Sequence, residues 1–192
     1  MAGADGSQAQ RAAEAAFLGR LLSARETAAR YEDPALQAKA RAVVPVDRLR
    51  AAACALVLAS CSPDAASPPP PPVFLFDAFM KVLLRWWKDE FFVWVNSPPC
   101  ERCGAPTAHA GQLQPNAEER RFGAGRVEAH KCSVCSAVTR FPRYNDPGRL
   151  LETRRGRCGE YANAFTLTCR ALGITARYVV VRALLSRQNS EF

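Results

Sequence analysis

Two C-x-x-C pairs, Cys100-Glu-Arg-Cys103 and Cys132-Ser-Val-Cys135, dictate more about this 192-residue chain than any other stretch of it. They are separated by 28 residues. A tight turn brings both sulfurs of such a pair to one side, about 2.3 Å from a shared ion, and two such turns close a tetrahedral four-sulfur shell. A closed shell leaves no position for water, which is the structural rather than the catalytic zinc arrangement. The expected ligands are Cys100, Cys103, Cys132 and Cys135, holding one structural Zn2+. Disulfides or redox pairs are the competing use of these thiols. They suit neither the doubled motif nor the reducing compartment expected for eight Cys in a chain without a secretory leader. His109 and His130 lie inside or beside this module. Four sulfurs suffice, so His130 is expected on the solvated surface rather than as a ligand.

Composition sets the outer bounds. With 48% apolar and 23% charged residues the chain can bury a core, as one domain carrying a small insertion. Its net charge of +8 is uneven: residues 1–99 carry 11 basic and 10 acidic groups, residues 100–192 carry 15 and 8. A basic half invites a nucleic-acid reading. Only four of the 26 cations are Lys, however, and Ala, Arg and Pro are abundant throughout, so base composition accounts for the bias and nucleic acid is not favoured. No run approaches the ~18 apolar residues of a membrane span. The longest, AAACALVLAS at 51–60, reads as a buried helix.

Along the chain, residues 1–10 are small and polar and are expected to be disordered. Residues 11–60 read as two or three short helices of the core, broken at Asp33-Pro34 and at Pro45. Residues 61–72, with five consecutive prolines, read as a stiff surface linker. Residues 73–96 read as one core helix. There Asp77, Lys81, Arg85 and Asp89 form a solvated stripe, and Phe76, Phe79, Met80, Leu83, Leu84, Trp87, Phe91 and Trp94 form the buried face. The zinc module spans 97–137, and FPRYNDPG marks irregular chain over 137–150. A helix is predicted from Cys158 to Leu172, stopped by Gly173, followed by a buried strand, ITARYVVV, at 174–181. Residues 182–192 form a tail without further strand. The fold class expected is α+β.

Cys158 carries the second chemical signal. In ETRRGRCGEYANAF it follows Gly156 and opens an apolar-periodic helix. Its sulfur then sits at the positive end of a helix dipole beside Arg157, a placement that favours the nucleophilic thiolate. The alternative, a small buried residue, is weakened by Gly on both flanks and by the polar run GRCGEYAN. Cys54, Cys61 and Cys169 read as structural or inert.

From Pro99 to Tyr178 the two C-x-x-C pairs, RFPRYNDP, LLETRRGRCGEYANAFTLTCRALG and ARYV together closely resemble the cytoplasmic peptide:N-glycanases. The likeness extends upstream through LLRWWKDEFFVWVN at 83–96, and more loosely through YEDPALQAKARAVVPVDRL at 31–49. It implies a papain/transglutaminase-like core with an inserted four-Cys zinc module, residues 138–181 forming the catalytic segment. It also implies an amidase that removes N-linked glycans from misfolded glycoproteins in ER-associated degradation, acting in the cytoplasm with the nucleus as a second compartment. Cys158 falls on the family nucleophile, and Cys100, Cys103, Cys132 and Cys135 on its zinc ligands. Tyr161 and Ala164 depart mildly from the pattern. The catalytic His and Asp that follow ARYV in the family have no counterpart, since no His follows residue 130 and no Asp follows residue 146. The chain is therefore expected to be a truncated form, inactive alone. The alternative is a non-catalytic, zinc-stabilised binding module, with a proteasome ubiquitin-receptor shuttle protein or nucleic acid as partner.

Overall fold

The computed structural model describes residues 3–60 and 72–180. Helices α1 (Gly3–Arg30), α2 (Pro34–Val43) and α3 (Val46–Ser60) are followed by α4 (Pro72–Trp86) and a π-helical turn, Trp87–Phe91. Then come β1 (Val93–Trp94), β2 (Thr107–Leu113), α5 (Ala117–Arg121), β3 (Val127–Cys132), β4 (Val138–Pro142), α6 (Pro147–Thr153), β5 (Arg155–Gly156) and α7 (Cys158–Ala171). Mixed helix and sheet match the α+β expectation. Among the described residues no helix is long and apolar enough to cross a membrane.

The breaks fall where proline and its caps dictate. Asp33 accepts from the amides of Ala35 and Leu36 at 2.8 and 3.0 Å, capping α2 with Pro34 at its first position. Helix α1, by contrast, starts at Gly3, so the disorder expected over residues 1–10 gives way to helix from residue 3 onward. Its long side chains Phe17, Leu18, Leu21 and Leu22 are all exposed, so α1 is not the core element expected of it. Core membership begins with Tyr31, whose hydroxyl donates to Asn163 Oδ1 at 2.6 Å.

The core lies where α2 and α6 meet α7, joined by Leu83 and Trp86 of α4 and by Trp87 and Phe91 of the π turn. The single helix expected over 73–96 stops ten residues early. The π turn inserts an extra residue, which brings Trp86, Trp87, Phe91 and Phe92 all into the interior. Trp87 is fully buried, with its ring 4.8 Å from Phe91, 5.2 Å from Phe165 and 5.7 Å from Phe92. A regular helix would have turned one of these aromatics to solvent. Phe76, Leu84 and Trp94, expected on the buried face, are exposed, while the stripe Asp77, Lys81, Arg85 and Asp89 is solvated as expected.

Two small sheets complete the fold. β2, β3 and β4 form an antiparallel sheet in that order, with His130 on the central strand opposite His109 on one side and Thr139 on the other. β1 pairs in parallel with β5, Trp94 opposite Gly156. The irregular chain expected over 137–150 instead contains β4 and α6, because Asp146 caps α6 through the Arg149 amide and Pro147 opens it. Residues 174–180 form neither helix nor sheet among the described residues. Ile174, Ala176 and Tyr178 are half-buried while Thr175, Arg177 and Val179 face solvent, so the run alternates as a strand does without a neighbour to bond. The expectation of a buried strand is corrected accordingly. The Pro-rich linker, up to residue 71, and the tail at 182–192 lie outside the described residues, as does Cys61.

Candidate functional site

The four Cys of the doubled motif converge. Cys100–Cys135 sulfurs lie 3.6 Å apart, Cys103–Cys132 and Cys103–Cys135 both 3.5 Å, and all four lie within 4.8 Å of one another. A tetrahedral ion with bonds of about 2.3 Å requires edges near ~3.8 Å, whereas a disulfide would require about 2.0 Å. The donor set therefore fits a metal ion, and all four thiols are free. Local backbone builds each half. In the first turn Cys100 N–H donates to Ala105 O at 2.9 Å and Gly104 N–H to Cys100 O at 2.8 Å, with Gly104 at φ +72. In the second, the amides of Cys135 and Val134 point at Cys132 Sγ, 3.4 and 3.3 Å away, and draw its thiol down to about 6. The second turn thus presents two amide hydrogens to a sulfur that carries charge when it ligates.

His130 is not on the surface as expected. It is 1% exposed, on β3 between Phe141 and His109, with Nε2 3.3 Å from Glu128 Oε2. A ring flanked by aromatics on an inner strand face is shielded in a way that a lone His in a sequence does not reveal. His109 is exposed.

Cys158 occupies the first turn of α7 and is exposed. The turn before it is held from several sides. Gly156 pairs with β1, where Val95 N–H donates to its carbonyl at 2.9 Å. A Cβ on Gly156 would fall 2.4 Å from Cβ of Glu160, so only glycine lets the strand pass the helix this closely. Arg157 donates from Nε to Val95 O at 3.1 Å and from Nη2 to Asn96 O at 2.8 Å. Its own amide donates to Glu160 Oε2 at 3.0 Å. Trp94, half exposed on β1 opposite Gly156, donates to Asn96 Oδ1 at 2.9 Å.

Several of these groups were not singled out from sequence. Arg143 and Tyr178 belong to motifs recognised as strings, RFPRYNDP and ARYV, without a role for either. The Tyr178 hydroxyl reaches over Gly159, where a Cβ would lie 3.7 Å away. Burial, with Glu160 and Cys158 nearby, keeps its phenol protonated above the usual range. Glu128 carried no signal at all, since a single acid on a strand does not announce its partners. Cys169 is buried in α7, its thiol pushed up to about 11 by burial, while Cys54 is exposed on α3. Tyr161 packs edge-on against Phe92 and Trp87 at 5.4 and 6.0 Å, so the aromatic packing at this position is kept.

Residues 108–190 match the transglutaminase-like superfamily. A peptide-N(4)-(N-acetyl-beta-glucosaminyl)asparagine amidase of Rattus norvegicus is 47% identical over 150 residues, covering 78% of this chain and 22% of the rat protein. The amidase of the same name from Oryza sativa subsp. japonica is 47% identical over 152 residues, 78% of this chain and 32% of its own length. The Homo sapiens amidase is 44% identical over 169 residues, 88% of this chain and 25% of its own. The chain thus spans between a fifth and a third of the length of these relatives.

Proposed function

Because this chain carries a transglutaminase-like domain and is homologous over most of its length to peptide-N(4)-(N-acetyl-beta-glucosaminyl)asparagine amidases, we propose that it forms the nucleophile-bearing part of a peptide:N-glycanase. The substrate is a misfolded N-glycoprotein met in ER-associated degradation, in the cytoplasm or nucleus. The observation that carries this reading is Cys158: an exposed thiol in the first turn of α7, with its preceding turn fixed by Arg157 and Glu160.

In this mechanism the Cys158 thiolate attacks the side-chain amide carbon of the glycosylated Asn. The tetrahedral intermediate collapses, the C–N bond breaks, and the glycosylamine leaves with a proton from a general acid. Water then hydrolyses the thioester, leaving Asp in the peptide and freeing the thiol. Neither His109 nor His130 suits the acid role, because both lie on strands of the four-Cys module and His130 is buried against Glu128. The imidazole that the family resemblance requires belongs beyond ARYV.

Zn2+ is the ion that the four-thiolate donor set favours, held by Cys100, Cys103, Cys132 and Cys135. When bound it supplies cross-linking of two turns, not chemistry on the substrate. The exposed apolar residues of α1, Phe17, Leu18, Leu21 and Leu22, suit a protein partner such as a proteasome shuttle protein.

The test is deglycosylation of a denatured glycopeptide by the protein at its natural length, followed by peptide mass. Release of the whole glycan with Asn converted to Asp, lost in Cys158→Ala, is expected. Absence of release, or release that survives Cys158→Ala, overturns the reading.

A further inference from the structure

Four charged side chains form a closed ring between the metal-binding sheet and the turn that bears Cys158. Arg143 donates to Glu128 Oε1 at 2.9 Å and to both oxygens of Glu160, at 2.5 and 2.7 Å. Arg157 donates to both oxygens of Glu128, at 3.0 and 2.6 Å. Glu160 closes the ring by accepting from the Arg157 amide at 3.0 Å. The two acids are buried, and both guanidinium groups flank the buried Phe141 ring, 5.8 and 5.7 Å from its centroid. Two carboxylates and two guanidinium groups make the cluster neutral, with Arg143 between both acids and the Arg157 guanidinium on Glu128.

Its topology makes it more than a stabilising cluster. Glu128 belongs to β3, the strand that ends on the metal-ligating Cys132. Arg157 directly precedes Cys158, and Glu160 lies in the same helical turn. Arg143 follows β4, the other strand flanking the second Cys turn. The Cys158 turn is therefore tied to the four-Cys sheet by side chains alone. Bidentate guanidinium–carboxylate pairs fix orientation as well as distance, which a point charge does not.

We propose that Glu128 and Arg157 are positioning residues that couple the four-Cys cluster to Cys158, so that occupancy of the cluster sets the reactivity of a thiol on a different element. This rests on the reading of Cys158 as nucleophile. A bound ion holds β3 in register, β3 holds Glu128, Glu128 holds Arg157, and Arg157 holds the first turn of α7 under Cys158. The ring predicts a cost for Arg157→Lys, which keeps the charge but loses the fork and the Val95 and Asn96 contacts.

The experiment measures iodoacetamide labelling of Cys158, by peptide mass, in zinc-loaded and chelator-stripped protein. In the unaltered chain, stripping should slow labelling about 3- to 10-fold, the scale of a lost helix-terminus contribution. In Glu128→Gln the zinc-loaded rate should already be low, and stripping should add little. Arg157→Lys should behave alike, and it serves where Glu128→Gln fails to fold. Glu119→Gln is the control. Glu119 is equally buried in the same module, but its carboxylate is bonded to Arg140 and to the Asn116 amide rather than to α7, so its loss should lower stability and leave the Cys158 rate unchanged. In the deglycosylation assay Glu128→Gln should lower kcat with KM unchanged. Equal slowing by stripping in wild type and in Glu128→Gln, or equal slowing by Glu119→Gln, overturns the coupling. Coupled labelling without any glycan release would instead refute the amidase reading and leave the coupling standing.

Discussion

The two glycines that flank Cys158 look alike in sequence, yet they should respond oppositely to a methyl group. At Gly156 a Cβ would sit 2.4 Å from Cβ of Glu160 and 3.0 Å from its Cγ, closer than packed carbons tolerate. Neither side can yield cheaply: Gly156 is paired with Trp94, and Glu160 is held by Arg143 and by the Arg157 amide. Overpacking of this kind costs about 1–3 kcal/mol. At Gly159 the nearest atom is the Tyr178 hydroxyl at 3.7 Å, ordinary contact distance, and the residue lies inside α7. Alanine there should be tolerated and gain up to about 1 kcal/mol from helix propensity. Thermal melts of zinc-loaded, reduced protein check this. With roughly 2–4 °C per kcal/mol for a chain of this size, Gly156→Ala should melt lower and Gly159→Ala no lower than wild type. Gly156→Ala should also slow Cys158 labelling, because the displaced Glu160 releases the Arg157 amide. Equal melting of Gly156→Ala and wild type, or a fall for Gly159→Ala as large as for Gly156→Ala, would refute the close-approach argument.

Other consequences are equally open to measurement. Leu167→Ala, at a fully buried position of α7, should cost about 2–5 kcal/mol by urea denaturation, and a loss under 1 kcal/mol would place Leu167 outside the core. Burial pushes the Glu128 carboxyl up, but hydrogen bonds from Arg157 and Arg143 outweigh it and bring it to about 2, against an ordinary 4.5. A depressed folded value means that the ring's contribution is complete above about pH 4.5 and is lost as pH falls toward 2; Glu128→Gln should flatten this acid limb relative to wild type, and parallel limbs would contradict it. Among thiols not at the four-Cys cluster, Cys158 should label faster than Cys169, which is buried with its thiol pushed up to about 11. Elemental analysis of reduced protein should give one zinc per chain, falling with Cys103→Ser; well-folded protein without metal would end the zinc assignment.

What the sequence made legible follows physical range. The C-x-x-C pairs and the helix opening at Cys158 are local patterns, and the structure brings the four thiols together and starts α7 at Cys158. Breaks at Pro34 and Pro45 are local too. The π turn at Trp87–Phe91 was hidden because periodicity alone continues the helix, whereas four aromatics compete for one interior. Helix α6 had a readable signal, Asp146-Pro147, masked by the turn-like string around it. The ring of Glu128, Arg143, Arg157 and Glu160 joins residues up to 32 positions apart on a strand, two strand-flanking loops and a helix, a pairing that no local pattern encodes. His130 was misread for the same reason, since its burial depends on Phe141 from the neighbouring strand.

The most direct test of Cys158 as nucleophile is to trap its acyl-enzyme. Protein of natural length is mixed with a denatured glycopeptide, quenched in acid within one turnover, and mapped by intact and peptide mass. The account predicts a thioester adduct carrying the peptide without its glycan, localised to Cys158. An adduct on another cysteine, or glycan release with Cys158 unmodified at every time point, would contradict it.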